Sequence, residues 1–253
     1  MTTEITSRQN SEIKRIASLK DKKYRKKYSE YLAEGIKEVS EAILSGQKIS
    51  EIIGLKEVIR SLPECDAKLI ETNESVIRFL SDTVAPQGVV AVIKIPDAKA
   101  ESPNGNCAVL DGVKDPGNVG TIIRTCAALG IKYLYMCDCA DPYSPKVVRS
   151  SMSGIYSVKI TEGDREEIYS SIRGKCEILV ADMGGENVFT ANISKPYALV
   201  VGNEANGVSG FFKEKADKTI SVPMEKAMES LNAAVAFSVA AYTLYGKKFV
   251  KNI

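Results

Sequence analysis

The 253-residue chain contains no histidine. This absence excludes Ser–His–Asp and Cys–His nucleophile systems, because both use an imidazole as the base, and it excludes metal sites with histidine ligands. Any chemistry must therefore use Asp, Glu, Lys, Arg, Tyr or Cys side chains, or a bound cofactor.

The six cysteines form no Cys-x-x-Cys pair, the spacing of many zinc and redox sites. Cys137 and Cys139 are predicted to be alternate residues of one strand, where we expect a reduced core pair and no metal. The chain also lacks an apolar run of the roughly 18 residues that cross a bilayer. Its N-terminus lacks the apolar centre of a signal peptide, so we expect a cytoplasmic protein.

Composition is ordinary for a globular protein, with 44% hydrophobic and 26% charged residues, but the charge is unevenly distributed. The segment Lys20–Lys27 (KDKKYRKK) holds six basic residues in eight. One interpretation is a solvated helix face, the usual place of such a run. The other is a phosphate-binding surface with Tyr24 and Tyr28 among the cations. Charge alone does not separate the two.

Two domains are predicted, because residues 95–106 (IPDAKAESPNGN) are polar, contain Pro and Gly, and lack apolar periodicity. The first, residues 1–97, alternates short apolar runs with helical patterns and is predicted to be a small α/β domain. Its expected helices are Ile36–Ser45 and Asn73–Ser81, and its expected strands are Ser50–Gly54, Ala67–Ile70 and Gly88–Ile93.

The second domain, residues 98–253, has apolar strands separated by helical patterns, which indicates an α/β fold with a mainly parallel sheet covered on both faces. Ligands of such sheets bind at the carboxyl ends of the strands, here after Leu110, Val201 and Val222. The predicted strands are Cys107–Asp111, Tyr133–Cys137, Ser157–Ile160, Ile178–Ala181, Ala198–Gly202 and Thr219–Val222.

The first of these loops leads into a helix that begins near Asn118 and ends at the C-cap Gly130. Apolar residues at helical spacing bury one face of this helix, and Arg124 points away from that face. By themselves these residues indicate a solvated arginine and an N-cap asparagine. The P-loop spacing and its Lys-Ser/Thr pair are absent.

The other two loops also place polar residues just beyond a strand. Glu204 follows the strand that breaks at Gly202, in a glycine pattern that only faintly resembles a dinucleotide fingerprint. Ser230 precedes a long helix and is its predicted N-cap. The predicted buried stripe of that helix consists of Leu231, Val235, Val239 and Tyr242.

Taken together and in this order, the three loops resemble one family. DPGNVGTIIRT (115–125), LVVGNEANGVS (199–209) and VPM…ESLNAAVA (222–236) are similar to the three motifs of the SpoU/TrmH branch of SPOUT RNA 2′-O-ribose methyltransferases. The resemblance covers roughly residues 106–246 and implies methyl transfer from S-adenosylmethionine to an RNA ribose. It also implies a homodimer and a trefoil knot, which general rules of chain topology would not predict.

The resemblance further implies a role for each motif residue. The catalytic residues would be Asn118, Arg124, Glu204, Ser230 and Asn232, and the cofactor would contact Gly202, Val222 and Leu231. Methyl transfer from a sulfonium needs alignment of the attacking oxygen and help in removing its proton, without a metal or a histidine. Arg124 would either act as a base, for which a guanidinium is poorly suited, or stabilise the developing alkoxide and hold the adjacent phosphate.

The first domain is similar to the ribosomal-protein-like substrate-binding domain that precedes many SpoU enzymes. The similar segments are YLAEGIKEVSEAI (31–43) and TVAPQGVVAVI (83–93). This favours RNA contact for the basic segment and for Lys37, which stands where the family more often has arginine. A folded first domain also favours ribosomal RNA over tRNA. The implied RNA-binding residues are Lys20, Lys22, Lys23, Arg25, Lys26, Lys27 and Lys37.

Two other functions remain open on sequence. One is a catalytically silent RNA-binding or ribosome-assembly factor that keeps the fold, although every expected catalytic position is filled. The other is a nucleotide-binding α/β enzyme that uses NAD or ATP, for which the usual fingerprint is absent. The methylated nucleotide is not identified, because recognition of RNA shape leaves no decodable motif.

Overall fold

The computed structural model describes residues 2–97, 101–193, 196–225, 227 and 230–246. The chain folds into two compact units, each with its own sheet. The first contains Met1–Asp97 together with Asp141–Tyr156, and the second contains Ala98–Ala140 and Ser157–Ile253. Every helix within the described ranges is too short or too polar to span a membrane.

Strands and helices alternate along most of the chain. The strands are β1 (Thr2–Glu4), β2 (Glu30–Glu34), β3 (Ile49–Gly54), β4 (Lys68–Glu71), β5 (Val89–Lys94), β6 (Cys107–Asp111), β7 (Tyr133–Cys137), β8 (Lys159–Glu162), β9 (Glu177–Asn187), β10 (Tyr197–Gly202) and β11 (Lys218–Ser221). The helices are α1 (Ser11–Ser18), α2 (Lys22–Tyr28), α3 (Ile36–Leu44), α4 (Lys56–Arg60), α5 (Glu74–Leu80), α6 (Pro116–Leu129), α7 (Pro145–Ser151), α8 (Arg165–Ile172), α9 (Gly210–Glu214) and α10 (Ala233–Tyr245).

The first unit contains a five-stranded sheet in the order β1-β4-β3-β5-β2. β1, β4 and β3 are parallel neighbours, whereas β5 runs antiparallel to both β3 and β2. Side chains of α1, α5 and the sheet form one buried core, which includes Ile13, Ile53, Val76 and Val90. The prediction of a smaller α/β unit at this end of the chain is confirmed.

The sequence pattern does not predict strand β2, because glutamates stand at both of its ends. Glu30 is nevertheless buried, and Arg15 Nη1 donates to its Oε2 at 2.6 Å while Lys94 Nζ lies 2.7 Å from Oε1. Burial acts to raise the pKa of Glu30, but the bonds from Lys94 and Arg15 outweigh it and lower that pKa. Arg15 and Lys94 thus compensate the negative charge of Glu30, which is the first residue of a buried strand.

Residues 141–156 pack within the first unit, although the chain enters them from β7 of the second. The buried Arg25 guanidinium donates to Asp141 Oδ2 from Nη2 at 2.7 Å and from Nε at 3.1 Å. The rings of Tyr31 and Tyr143 lie 4.9 Å apart, centroid to centroid. The chain therefore leaves the second unit after β7 and returns to it before β8.

The second unit contains a six-stranded sheet in the order β11-β9-β10-β6-β7-β8. Every neighbouring pair in it is parallel, which confirms the predicted parallel sheet. Nearly continuous burial along β6, β7 and β10 shows that both faces are covered. α6 and α10 pack together, with Thr125 Oγ1 and Ser238 Oγ 2.8 Å apart. The trefoil knot remains a prediction from the resemblance.

Helix α6 starts earlier than predicted, at Pro116. Asp115 is its N-cap and accepts a bond from Asn118 N–H at 2.8 Å, so Asn118 lies in the first turn and is not the cap. Proline suits the first helical position because the N–H it lacks would have no partner in the helix. The predicted C-cap is confirmed, since Gly130 has a φ of 71°.

Helix α10 differs from the prediction in its start and in its buried face. Asn232, and not Ser230, is the N-cap, and its side chain accepts from the N–H groups of Ala234 and Val235. Val235 and Tyr242 are 48% and 49% exposed, so the predicted stripe is wrong at these two positions. Apolar residues surround the helix, and its periodicity therefore does not identify the buried face. The buried residues are Ala234, Phe237, Ala240 and Ala241.

Candidate functional site

The three loops identified from sequence lie at the carboxyl ends of β6, β10 and β11. Strands β7 and β8, which follow β6 in the chain, lie on one side of it in the sheet. The later strands β10, β9 and β11 lie on its other side. The position between β6 and β10 is therefore a topological switch point, where open parallel sheets bind their ligands. Loops that are far apart in sequence meet at one edge of this sheet.

A cavity of about 540 Å³ opens at this edge. The predicted cofactor contacts Gly202, Val222 and Leu231 all line it. Two predicted catalytic residues, Glu204 and Ser230, line it as well. Pockets for cofactors and small molecules usually have volumes of about 300–1,000 Å³, so this cavity is large enough for one.

Small residues leave this cavity open. Ala233, Ala236 and Ala240 of α10 contribute to its lining. Gly202 approaches the following loop so closely that a Cβ there would lie 2.1 Å from the Gly207 carbonyl carbon. Any larger residue at this position would force the backbone of the loop to move.

Asn203 closes the loop beside the cavity. Its N–H donates to Gly207 O at 3.0 Å, and Gly207 N–H donates back to Asn203 O at 2.8 Å. Its side-chain Oδ1 accepts from the N–H groups of Ala205 and Asn206, and its Nδ2 donates to Gly112 O at 3.0 Å. Asn203 therefore shapes the loop after β10 and ties it to the loop after β6. Asparagine in a glycine-containing turn was the signal in the sequence that could have indicated this role.

Asp111 is a second anchor that the sequence pattern does not reveal. This buried carboxylate at the end of β6 accepts from Ser209 N–H at 2.8 Å and from Arg165 Nε at 2.8 Å. These bonds fix the far end of the loop after β10 to the strand that precedes the first motif. The one local feature of the sequence here is that Asp111 directly follows an apolar run, which does not by itself indicate an anchor.

Of the two neighbouring cysteines, Cys137 is a core thiol and Cys139 is partly exposed. Cys137 ends β7, and Cys139 lies after the strand and not on it as predicted. Both Sγ atoms donate to the Leu110 carbonyl at 3.3 Å. Burial raises the pKa of Cys139 to about 11 and raises the pKa of Cys137 further, so both thiols stay protonated. Among the described residues, no three His, Cys, Asp or Glu side chains are grouped so that they could hold a metal ion.

Three of the five predicted catalytic residues form one hydrogen-bond chain. Asn232 Nδ2 donates to Asn118 Oδ1 at 2.9 Å, and Asn118 Nδ2 donates to Glu204 Oε1 at 2.6 Å. Asn232 Oδ1 accepts from Ala234 N–H at 3.0 Å, which leaves its Nδ2 for Asn118. The Asn118 amide is thus held and polarised from both sides by residues of the other two motifs.

Arg124 and Ser230 are not part of this chain. Arg124 is exposed on α6 and has no hydrogen-bond or ion-pair partner in the part of the chain that the structure describes. Ser230 lines the cavity and is also exposed. An exposed, unpaired guanidinium is available to a phosphate or to an oxyanion.

An ion pair at the cavity is a further feature that the sequence does not predict. Asp182 of β9 and Lys213 of α9 both line the cavity, and Lys213 Nζ lies 2.5 Å from Asp182 Oδ2. The bond from Lys213 lowers the pKa of Asp182, so the carboxylate stays ionised at neutral pH. The pair adds one charge of each sign to the cavity wall.

Most of the predicted RNA-binding cations are on the surface, but two are not free. Lys20 Nζ donates to the carbonyls of Phe79 at 2.9 Å and Ser81 at 2.7 Å. Arg25 is buried and bonds two backbone carbonyls besides Asp141, so it is a structural residue, which corrects the predicted set. The exposed members are Lys22, Lys23, Lys26, Lys27 and Lys37.

Comparison with known proteins identifies a family for each part of the chain. A family model described as the SpoU rRNA Methylase family matches residues 106–242, which contain all three motifs. A second model, described as the MRM3-like substrate binding domain, matches residues 10–91. The two matches agree with the two resemblances drawn from the sequence.

Similar proteins extend over nearly the whole chain. The 23S rRNA (guanosine(2553)-2'-O)-methyltransferase RlmP of Bacillus subtilis is 30% identical over 96% of this chain and 99% of its own length. The 23S rRNA (adenosine(1067)-2'-O)-methyltransferase of Streptomyces laurentii is 30% identical over 83% of this chain and 84% of its own. The crystal structure of AdoMet-bound rRNA methyltransferase from Sinorhizobium meliloti has a TM-score of 0.87 at 28% identity, over 96% of this chain and 97% of that one. The chain belongs to the SpoU rRNA methylase family, as its three motifs predict.

Proposed function

We propose that this chain transfers a methyl group from S-adenosylmethionine to the 2′-hydroxyl of a ribose in ribosomal RNA. The observation that carries the proposal is the chain of bonds from Asn232 through Asn118 to Glu204, which connects the helix carrying Arg124 to the cavity lining. Polar groups of all three motifs meet beside a cavity whose volume suits a cofactor.

The cavity lining fits S-adenosylmethionine. Gly202, Val222 and Leu231 offer backbone groups and apolar surface to the adenosine part, and the alanines of α10 leave room for it. The Asp182–Lys213 pair offers polar partners to the hydroxyl and charged groups of the cofactor. When bound, S-adenosylmethionine supplies an electrophilic methyl group on a sulfonium. The AdoMet-bound relative from Sinorhizobium meliloti supports this choice of cofactor.

The protein itself aligns the substrate and stabilises charge. Glu204 and Asn232 hold the Asn118 amide from both sides, so this amide can position the ribose without reorganising. Arg124 acts electrostatically: its guanidinium holds the adjacent phosphate and stabilises the negative charge that develops on the 2′-oxygen. Ser230 positions substrate or cofactor from the cavity wall.

The choice of ribosomal RNA is supported by the relatives, which are named as 23S rRNA methyltransferases. In this proposal residues 1–97 bind the RNA and residues 98–253 carry out the transfer. The similarity of residues 10–91 to a substrate-binding domain supports this division, as do the exposed lysines of α2. The named relatives modify a guanosine and an adenosine, and in this proposal the shape of the surrounding RNA selects the nucleotide.

We further propose that the chain acts as a homodimer in the cytoplasm. Val235 and Tyr242 expose an apolar surface on α10, and Met183 and Phe189 add to the exposed apolar area of the second unit. Such surface is typical of subunit interfaces. A ribosomal RNA substrate is consistent with the cytoplasmic location.

Methyl transfer by an Arg124→Ala variant tests this function. We expect transfer of tritium-labelled methyl from S-adenosylmethionine to total rRNA to fall at least about 100-fold, the usual loss when a donor to a developing oxyanion is removed. Cofactor binding, measured by calorimetry, should be unchanged. Arg124→Lys keeps the charge and should recover part of the activity. Arg173→Ala removes another exposed arginine of the same unit and serves as the control.

Three outcomes would contradict the proposal. Lost cofactor binding in Arg124→Ala would refute the role of this side chain. Binding of S-adenosylmethionine by the parent protein, without transfer to rRNA or tRNA, would indicate a catalytically silent RNA-binding factor. Binding of NAD or ATP in place of S-adenosylmethionine would indicate a different nucleotide-dependent enzyme.

A further inference from the structure

The short helix α2 presents two tyrosines and four lysines together. Tyr24 and Tyr28 are one helical turn apart, and their rings are nearly parallel, with centroids 6.3 Å apart and an interplanar angle of 14°. Both side chains are partly exposed. The two rings therefore form one aromatic pair at the surface of the first unit, and Tyr28 also packs against the buried core.

A cation accompanies each ring. Lys23 Nζ lies 5.8 Å from the centroid of the Tyr24 ring, and Lys27 Nζ lies 5.1 Å from that of Tyr28. Lys22 and Lys26 are exposed on the same helix. None of these four lysines has a carboxylate partner within the described part of the chain. The positive charge of these lysines is thus uncompensated, whereas Arg15, which lies 5.9 Å from the centroid of the Tyr28 ring, is paired with Glu30 and Glu51.

Another tyrosine–lysine contact in the chain has a different character. Lys159 Nζ lies 5.7 Å from the centroid of the Tyr133 ring, but it is also 2.8 Å from Glu101 Oε2. Glu101 compensates the charge of that lysine, and the ring beside it, Tyr133, lies on strand β7. Lys215 also lies beside two rings, Tyr169 and Phe211, but these meet edge to face at 89°, so the nearly parallel pair is what distinguishes α2.

The buried side of α2 keeps these rings in place. Arg25 Nη1 donates to the Leu19 and Lys20 carbonyls at 2.7 Å each, and its Nη2 donates to Asp141. Asp21 caps the start of the helix by accepting from Lys23 N–H at 2.8 Å. A helix fixed at its base can present aromatic faces without an ordering cost on binding.

We propose that Tyr24 and Tyr28 form a stacking platform for an unpaired nucleotide of the RNA, with Lys22, Lys23, Lys26 and Lys27 holding its phosphates. Aromatic rings stack on any base whose face is exposed, whereas an A-form duplex exposes phosphates, riboses and base edges along its length and base faces only at its two ends. The platform thus selects single-stranded or bulged RNA over a continuous helix. The inference rests on the proposed function for its partner, which is RNA.

Fluorescence of a Tyr24→Trp variant tests the platform directly. The chain contains no tryptophan, so the introduced side chain is the only one of its kind. We expect a short oligouridine strand to quench its emission, and a blunt RNA duplex of the same length to quench it much less. Tyr133→Trp places the probe beside a neutralised lysine and should not respond to either RNA. Equal quenching by strand and duplex would overturn the proposal.

A second pair of variants separates stacking from charge. Tyr24→Ala should weaken binding of the oligouridine strand about tenfold, because stacking of one base on one ring is worth that much or more. Tyr24→Phe keeps the ring and should bind like the parent. An equal loss of RNA affinity in both variants would overturn the platform. Quenching of Tyr24→Trp fluorescence by polyglutamate would also overturn it, because it would indicate an acidic protein partner.

The proposed function can be judged independently of this result. Tyr24 lies in the first unit, so S-adenosylmethionine binding by Tyr24→Ala should match that of the parent in calorimetry. Normal cofactor binding and normal RNA affinity in this variant would remove the platform and leave the methyltransferase proposal intact. Failure of the parent protein to bind S-adenosylmethionine would instead contradict the proposed function.

Discussion

At the scale of single residues, the site depends on small and positioning side chains as much as on groups that meet the substrate. Gly202 allows the loop after β10 to fold back on its own strand, and Asn203 then holds that loop closed. Asn118 bridges two loops because Asn232 and Glu204 fix both ends of its amide. The two bonds of the Asn118 side chain join segments that are distant in sequence.

A methyl group at Gly202 should displace the loop that lines the proposed cofactor cavity. The added Cβ would lie 2.1 Å from the Gly207 carbonyl carbon, so the backbone must move. We expect Gly202→Ala to weaken S-adenosylmethionine binding at least about tenfold, or about 1.4 kcal/mol, in calorimetry. Gly210→Ala is the matched control, because a Cβ there meets nothing within 4 Å. Equal affinities in the two variants would show that the loop tolerates the shift.

Glu38 should make the stability of the first unit depend on pH. Ser153 Oγ donates to its Oε2 at 2.9 Å, but its buried Oε1 has no partner among the described residues. Burial raises the pKa of Glu38 above its ordinary 4.5, so ionisation costs the folded state more than the unfolded state. Below pH 4.5 the side chain is protonated in both states and the cost is absent. As pH rises from there to the folded-state pKa, the unfolded state ionises first and the folded state loses stability.

The variant Glu38→Gln removes this cost. We expect it to have a higher free energy of unfolding in urea than the parent at neutral pH, and the difference should disappear below about pH 4. Measuring variant and parent at each pH cancels the titration of all other carboxylates. A difference that is constant across this pH range would refute the assignment to Glu38.

At the scale of elements, α2 and residues 141–156 are joined by one buried ion pair. The Arg25 and Asp141 side chains are 4% and 12% exposed, although the two residues are 116 positions apart. The same arginine also satisfies two carbonyls at the start of α2. Removing one partner of such a pair leaves the other buried without compensation.

The substitution Arg25→Met should therefore destabilise the first unit. We expect a loss of about 3 kcal/mol or more in the free energy of unfolding, measured in urea. Arg149→Met is the matched control, because Arg149 forms an exposed ion pair within the same unit. It removes a pair with Asp82 whose side chains are 47% and 43% exposed, and it should cost at most about 1 kcal/mol. Similar losses in both variants would contradict a structural role for the buried pair.

At the scale of the whole molecule, the second unit leaves large apolar side chains exposed among its described residues. Met183 and Phe189 are 66% and 56% exposed, and Val235 and Tyr242 are about half exposed on α10. Val235 and Tyr242 are two helical turns apart and so lie on one face of the helix. Alanines of the same helix line the cavity, so one helix carries both the exposed apolar face and part of the cavity wall.

Sedimentation should show a dimer that depends on this surface. We expect the parent protein to sediment as a dimer, and Val235→Asp with Tyr242→Asp to shift it to monomer, since a charge in an apolar interface loses its hydration. Val84→Asp changes a fully exposed valine of the first unit and should leave the dimer intact. A monomeric parent protein would refute the homodimer.

Much of the fold follows from local patterns. The alternation of apolar strands and helices predicts both α/β units and the parallel second sheet, and Gly130 predicts the end of α6. The three motifs predict the family by resemblance, because all three occur in the family's order along the second domain. Local patterns do not predict strand β2. Burial of Glu30 depends on Arg15 and Lys94, and no local pattern connects these residues to it.

By itself, the sequence determined which chemistry is excluded and which three loops carry the motifs, and it predicted a division near residue 97. Only the tertiary structure placed residues 141–156 with the first unit. Only the tertiary structure decided that Asn203 and Asp111 anchor those loops and that Arg25 of the basic segment is buried. It also decided which face of α10 is covered. The physical reason is that propensity, caps and periodicity act over a few residues. Burial and charge compensation depend on surfaces that meet only after the chain has folded.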